Sequence, residues 1–182
     1  MKVLFLDIDG VLNADDDFGG RSRPNPMIDG YCGVSMAKAR RLAKIIGATG
    51  AVVVLVSSWK YDYDDYLTTR DNNVGKYLRN KLRKAGVSIY DTTTRFDTAC
   101  GEARGHEIRS WLEEHPEVER WALLDDEVFR DYDKCDIICH MVKTEEPTGL
   151  DDVAMAKAIS MLSCVDDGNT FAKFVKETDD GR

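Results

Sequence analysis

No apolar run in this sequence approaches the roughly 20 residues that cross a bilayer. The N-terminal run Val3–Leu6 is cut by Asp7 and Asp9 before the apolar region of a signal peptide could form. Neither a membrane span nor secretion is expected, and the reading is a cytoplasmic protein. Cysteine is sparse and unpatterned. Cys32, Cys100, Cys135, Cys139 and Cys164 are odd in number and suit reduced thiols better than a disulfide framework. Cys135, Cys139 and His140 could be taken for half a zinc site, but no second ligand pair follows at usable spacing, so they read as strand residues of DIICHMV. Positive charge is also short: a net charge of -8 disfavours nonspecific binding to nucleic acid or to an anionic membrane. The clusters Lys38, Arg40, Arg41, Lys44 and Lys76, Arg79, Lys81, Arg83, Lys84 lie on helix-like segments with apolar opposite faces, and read as solvated helix surface. Neither GxxxxGK[ST] nor GxGxxG occurs, which leaves nucleotide binding through those loops without support. An EF-hand counted from Asp7 would put Leu12 and Phe18 where Gly and Glu are needed.

Repeats, low-complexity blocks and Pro/Gly linkers are missing as well, so the 182 residues read as one domain over residues 1–165 with a polar, acidic tail over 166–182. Strand and helix patterns alternate along it. The apolar start is followed by a glycine- and proline-containing flap, then a helix around SMAKARRLAKII with an apolar stripe through Met36, Ala39, Leu42, Ala43 and Ile46. AVVVLVSS is a second strand. A loop and a helix over about Val74–Ala85 lead to a short third strand, VSIY. The helix GHEIRSWLEEH, the strand RWALLDD, the strand DIICHMV and the helix DDVAMAKAISML complete the order. Such alternation predicts an α/β, Rossmann-like three-layer sandwich with a central parallel sheet.

In that architecture ligands bind beyond the carboxyl ends of the strands. The first strand ends in Asp7 and Asp9, the second in Ser57 and Ser58, and the fourth in Asp125 and Asp126. Each is also an ordinary turn or capping residue type, but their coincidence on three strands points to a site. Aspartates this close raise one another's pKa unless a cation or hydrogen-bond donors intervene. Oxygen ligands suit Mg²⁺, which takes one or two carboxylates and leaves room for water and a substrate phosphate. A carboxylate could then attack that phosphate, forming an acyl phosphate that water releases.

On these residues the sequence resembles the haloacid dehalogenase (HAD) superfamily of phosphohydrolases. FLDIDGVL is similar to its first motif, LVSSW to its second and LLDD to its fourth. The resemblance implies a HAD-like fold with Asp7 as nucleophile, Asp9 as general acid/base and Ser57 as phosphoryl-binding residue. It also asks for a basic residue before the fourth strand, where Arg104 fits better than Lys84 or Arg95. The implied metal set is Asp7, Asp9, Asp125 and Asp126, with Asp126 binding Mg²⁺ directly and Asp125 acting through water or a neighbour. Gly10, Ser57, Ser58 and Lys60 make up the implied substrate contacts.

SSW, RGHEIRSWL, LLDDE and PTGL further resemble the small HAD domain of Swiss Army Knife RNA repair proteins, over about residues 2–162. In the resembled superfamily an aspartate two residues after the nucleophile marks phosphatases and phosphomutases, so the resemblance gives Asp9 the protonation of a phosphoester's leaving oxygen. The flap between Asp15 and Gly33 is too short for a separate cap domain, and in the resembled superfamily an open site of this kind goes with large substrates such as nucleic-acid ends or phosphoproteins, with a nucleotide as the smaller option. Arg21, Arg23 and Lys60 could meet such phosphates or be solvated loop charges. Asp15, Asp16 and Asp17 read as a solvated acidic loop, and Trp59 as core. Two other functions fit parts of the pattern: a receiver-type phosphoacceptor module, whose phosphorylated aspartate ends the third strand instead, and a catalytically inactive HAD-like binding domain.

Overall fold

The computed structural model describes residues 1–14, 16, 32–94 and 103–163. Nearly all of the expected flap with Arg21 and Arg23, the alternative basic residue Arg95, and the polar tail lie outside the described residues. Five strands, β1 (Lys2–Leu6), β2 (Val52–Leu55), β3 (Ile89–Thr92), β4 (Arg120–Asp125) and β5 (Met141–Lys143), form one sheet in the order β3-β2-β1-β4-β5. Every pairing in it is parallel. The chain winds from β1 outward to β3 and then returns to the other side of β1, so the strand order reverses between β1 and β4.

Side-chain alternation divides the core between the two faces of the sheet. Leu4, Leu6, Val53, Leu55, Ala122 and Leu124 pack with Leu42 of α1 (Met36–Thr49), Leu78 of α3 (Asn73–Lys84) and Ala158 of α5 (Asp152–Ser163). Val3, Phe5, Val54, Val56 and Leu123 pack with Ile108 and Trp111 of α4 (Arg104–Glu114). Phe5 meets Trp111 and Trp121 edge to face at 5.4 and 5.7 Å, an arrangement that suits the opposite charges of ring edge and ring face. The three layers are those expected, and α2 (Lys60–Thr69) lies next to α3. Among the described residues no helix is long and apolar enough to cross a membrane.

Two expectations need correction. Between Ser57 and β3 the chain makes two helices, where the sequence suggested a loop and one helix. KYDYDDYLTT of α2 carries no apolar stripe and buries only Lys60 and Tyr63, so periodicity could not announce it. DIICHMV is not a continuous strand either. Asp136 takes a left-handed conformation at φ 52°, which ends extended chain. A 3₁₀ turn over Ile138–His140 follows, and only Met141–Lys143 pairs with β4.

After β5 the chain doubles back beneath the loop that follows β1. The Thr144 hydroxyl donates to the Gly10 carbonyl at 3.1 Å, and the Leu150 N–H donates to the Val11 carbonyl at 2.9 Å. Gly149, at φ 61°, lies so close that a Cβ there would stand 2.8 Å from that same Val11 oxygen.

Candidate active site

β1 and β4 leave the sheet in step: the Asp7 N–H still donates to the Leu124 carbonyl at 2.9 Å. This brings Asp7 beside Asp125 and Asp126, and the three offer carboxylate oxygens within 4.8 Å of one another. Arg104, the first residue of α4, supplies the facing cation. Its Nη1 donates to Asp125 Oδ2 at 2.8 Å and stands 3.4 Å from Asp7 Oδ1. The Phe129 ring lies 4.2 Å from the guanidinium carbon, a cation–π contact that holds the group flat. Burial acts against the Arg104 charge, but Asp7 and Asp125 outweigh it and leave its pKa raised.

Asp125 is fully buried and has both oxygens engaged. Oδ2 accepts from Arg104 and from the Tyr132 hydroxyl at 2.7 Å, and Oδ1 accepts from the Glu127 N–H at 3.0 Å. Asp126 is held differently. Gly10, at φ +65°, passes so close that a Cβ there would meet the Asp126 carboxyl carbon at 2.2 Å. Gly10 was expected among the substrate contacts, but its N–H donates to Asn13 Oδ1 at 3.1 Å and its carbonyl accepts from Thr144. What the glycine supplies is room for Asp126.

Burial raises the Asp7 pKa to about 7; Arg104 opposes the rise, Asp125 adds to it, and a hydrogen bond from Ser57 opposes it again. Burial and then Asp125 raise Asp126 to about 6. Three carboxylates facing one guanidinium leave two negative charges without a partner in the group. A divalent cation held by Asp7 and Asp126 fits that donor set, since all the ligands are oxygen and Asp125 already accepts three hydrogen bonds.

Asp9, expected in the metal set, stands outside the group of Asp7, Asp125 and Asp126, although its charge adds to the rise at Asp7. Its Oδ2 accepts from Trp59 Nε1 at 3.0 Å and its Oδ1 from Asn13 Nδ2 at 2.6 Å. Trp59 is fully buried, and beyond filling the core it fixes Asp9. Ser57 is buried against Asp7, whereas Ser58 is exposed at the turn into α2. Lys60 is 2% exposed; its Nζ donates to Thr93 Oγ1 and Glu107 Oε2, so it is not a surface contact for substrate phosphates. Burial lowers its pKa, and Glu107 works in the opposite direction.

Asn13, Phe129 and Tyr132 serve this site without a signal in the sequence. Asn13 follows Asp9 by four residues inside an unremarkable turn, and the other two belong to the loop after β4. Among known families, the HAD domain in Swiss Army Knife RNA repair proteins has a model that matches residues 3–155. No curated protein and no solved structure matches.

Proposed function

The chain belongs to the family of HAD domains in Swiss Army Knife RNA repair proteins, and from that premise we propose that it is a Mg²⁺-dependent phosphomonoester hydrolase working through an aspartyl phosphate at Asp7. The family supports a phosphatase-type hydrolase. The observation that carries the finer reading is the Asp7 carboxylate, buried at the end of β1 between Arg104, Ser57 and the Asp125/Asp126 pair.

In the first step an Asp7 oxygen attacks phosphorus, the bond to the ester oxygen breaks, and Asp9 gives that oxygen a proton. Arg104 offsets charge on the phosphoryl oxygens in transit, and Ser57 offers them a hydroxyl hydrogen bond. Trp59 and Asn13 keep Asp9 aimed, since each donates to one of its oxygens. In the second step Asp9 takes a proton from water as the water attacks phosphorus. The bond to Asp7 then breaks, releasing inorganic phosphate and restoring the carboxylate. Mg²⁺ bound by Asp7 and Asp126 would hold Asp7 ionised and neutralise the phosphoryl group.

The substrate class proposed is a phosphate at a nucleic-acid end, with a free nucleotide as the smaller member of the class. RNA repair stands in the description of the matched family. Only α2 and α3 separate β2 from β3, which leaves no folded cap over the site between those strands.

The test is phosphate release, with and without Mg²⁺, from sugar phosphates, nucleotides, phosphopeptides and 3′- or 5′-phosphorylated oligonucleotides, with Asp7→Asn assayed beside the native chain. Release should require Mg²⁺, favour oligonucleotide ends in kcat/KM, and fall at least about 10³-fold in the variant with circular dichroism unchanged. Activity of Asp7→Asn within about tenfold of native would remove the nucleophile assignment. A mononucleotide or sugar phosphate better than every oligonucleotide at low salt would remove the polymer substrate and leave the Asp7 chemistry standing.

A further inference from the structure

We propose that His106, Asp131 and Cys135 form a second metal site, for a borderline transition ion of the Zn²⁺ class, which ties the start of α4 to the loop after β4. The three residues offer one imidazole nitrogen, one carboxylate oxygen and one thiol sulfur, all within 4.8 Å of one another. Tetrahedral Zn²⁺ with bonds of about 2.0–2.3 Å sets its ligands about 3.3–3.8 Å apart, inside the 4.8 Å that bounds this group.

Asp131 supplies a second, independent observation. It is 5% exposed, and its Oδ2 accepts from the His106 backbone N–H at 3.0 Å and contacts His106 Nδ1 at 3.0 Å. Its Oδ1 is buried and has no hydrogen-bond partner among the described residues. A buried carboxylate oxygen without a donor is costly, and a cation bound at this carboxylate would relieve that cost.

The charges also balance. On binding, Cys135 loses its thiol proton to solvent, and thiolate plus carboxylate match a divalent ion while the imidazole stays neutral. The His106 side chain is 61% exposed, which gives the ion a route in and water for its remaining coordination. The donor set is softer than the all-oxygen group at Asp7, so the two sites select different metals. Cys139 and His140 take no part: Cys139 is exposed on the 3₁₀ turn, and His140 stacks on Trp121 at 3.9 Å.

The test is a Co²⁺ titration of the full chain in excess Mg²⁺ under a phosphine reductant. One equivalent should produce thiolate-to-cobalt charge-transfer absorption, and Zn²⁺ should abolish it. Cys135→Ser should lack the band. His106→Gln, an exposed substitution that keeps the fold, should weaken binding by more than the about tenfold typical of losing a supporting partner. Asp7→Asn should bind as the native chain does, so the outcome does not hang on the phosphatase reading. No band, a band that persists in Cys135→Ser, or an unchanged affinity in His106→Gln overturns the site.

Discussion

Lys60 and Glu107 form a buried ion pair, with side chains 2% and 8% exposed. It joins α2, which starts three residues after Ser57, to α4, one turn beyond Arg104. Glu107→Gln takes from Lys60 the carboxylate it pairs with in the interior, and Lys60→Met takes the ammonium from Glu107; breaking a buried pair from one side costs about 3–5 kcal/mol. A domain of this size stores only about 5–15 kcal/mol. Melting should therefore fall by about 6–20 °C, at about 2–4 °C per kcal/mol for chains of this length. The double substitution Lys60→Met/Glu107→Leu removes both charges and should recover most of that loss, because apolar replacements of buried pairs are often neutral or stabilising. The assay is urea unfolding of all four proteins in chelator and again in Mg²⁺, read as a double-mutant cycle. Single substitutions that each cost under about 1 kcal/mol, or a double whose loss equals their sum, would refute a dry, mutually dependent pair.

Three other outcomes follow from the carboxylate group. Asp126→Asn should weaken Mg²⁺ activation by at least about tenfold, whereas Asp125→Asn should chiefly cost stability, by about 2 kcal/mol, because it weakens the charged hydrogen bond from Arg104, which keeps Asp7 as a second partner; a larger Mg²⁺ defect in Asp125→Asn would reverse the roles. Gly10→Ala adds left-handed strain of about 1–2 kcal/mol and a Cβ where Asp126 lies, so its Mg²⁺ titration should shift to higher concentration, and a native titration curve would count against the packing argument. In metal-free protein the raised pKa of Asp7 makes a stability contribution that is full below about 3.8 and is lost as pH rises to about 7, worth up to about 4 kcal/mol. Native melting in chelator should accordingly fall more steeply with pH than that of Asp7→Asn across this window, and Mg²⁺ should restore it most at the upper end; parallel curves would contradict the shift.

The layer order and the three strand ends were legible because each strand is a continuous apolar run that stops at an acid or a serine. Asp7, Ser57 and Asp125 therefore reach one edge of the sheet for reasons visible in the chain itself. What escaped was everything set by distant packing. Trp59 meets Asp9 across fifty residues of sequence, and Tyr132 reaches Asp125 from a loop without periodicity. Lys60, read as a charge free to meet a substrate, is buried because Glu107 awaits it on another helix. The helix α2 stayed hidden because tyrosines and aspartates alternate along it without an apolar face. Cys135, read with Cys139 and His140 as a strand residue of DIICHMV, lies in space beside His106 and Asp131.

The return of the chain beneath the first loop sets an order of events in folding. The sheet strands β1, β2 and β4 can pair as soon as residue 125 is available, but the loop bearing Asp9 and Gly10 gains its Thr144 and Leu150 partners only when the chain has continued for some 20 residues more. Loop closure over nearly the whole domain is entropically slow relative to local helix formation. A nascent or proteolytically shortened chain that stops before residue 144 would thus hold a recognisable sheet and a first loop whose Gly10 and Val11 carbonyls lack these partners.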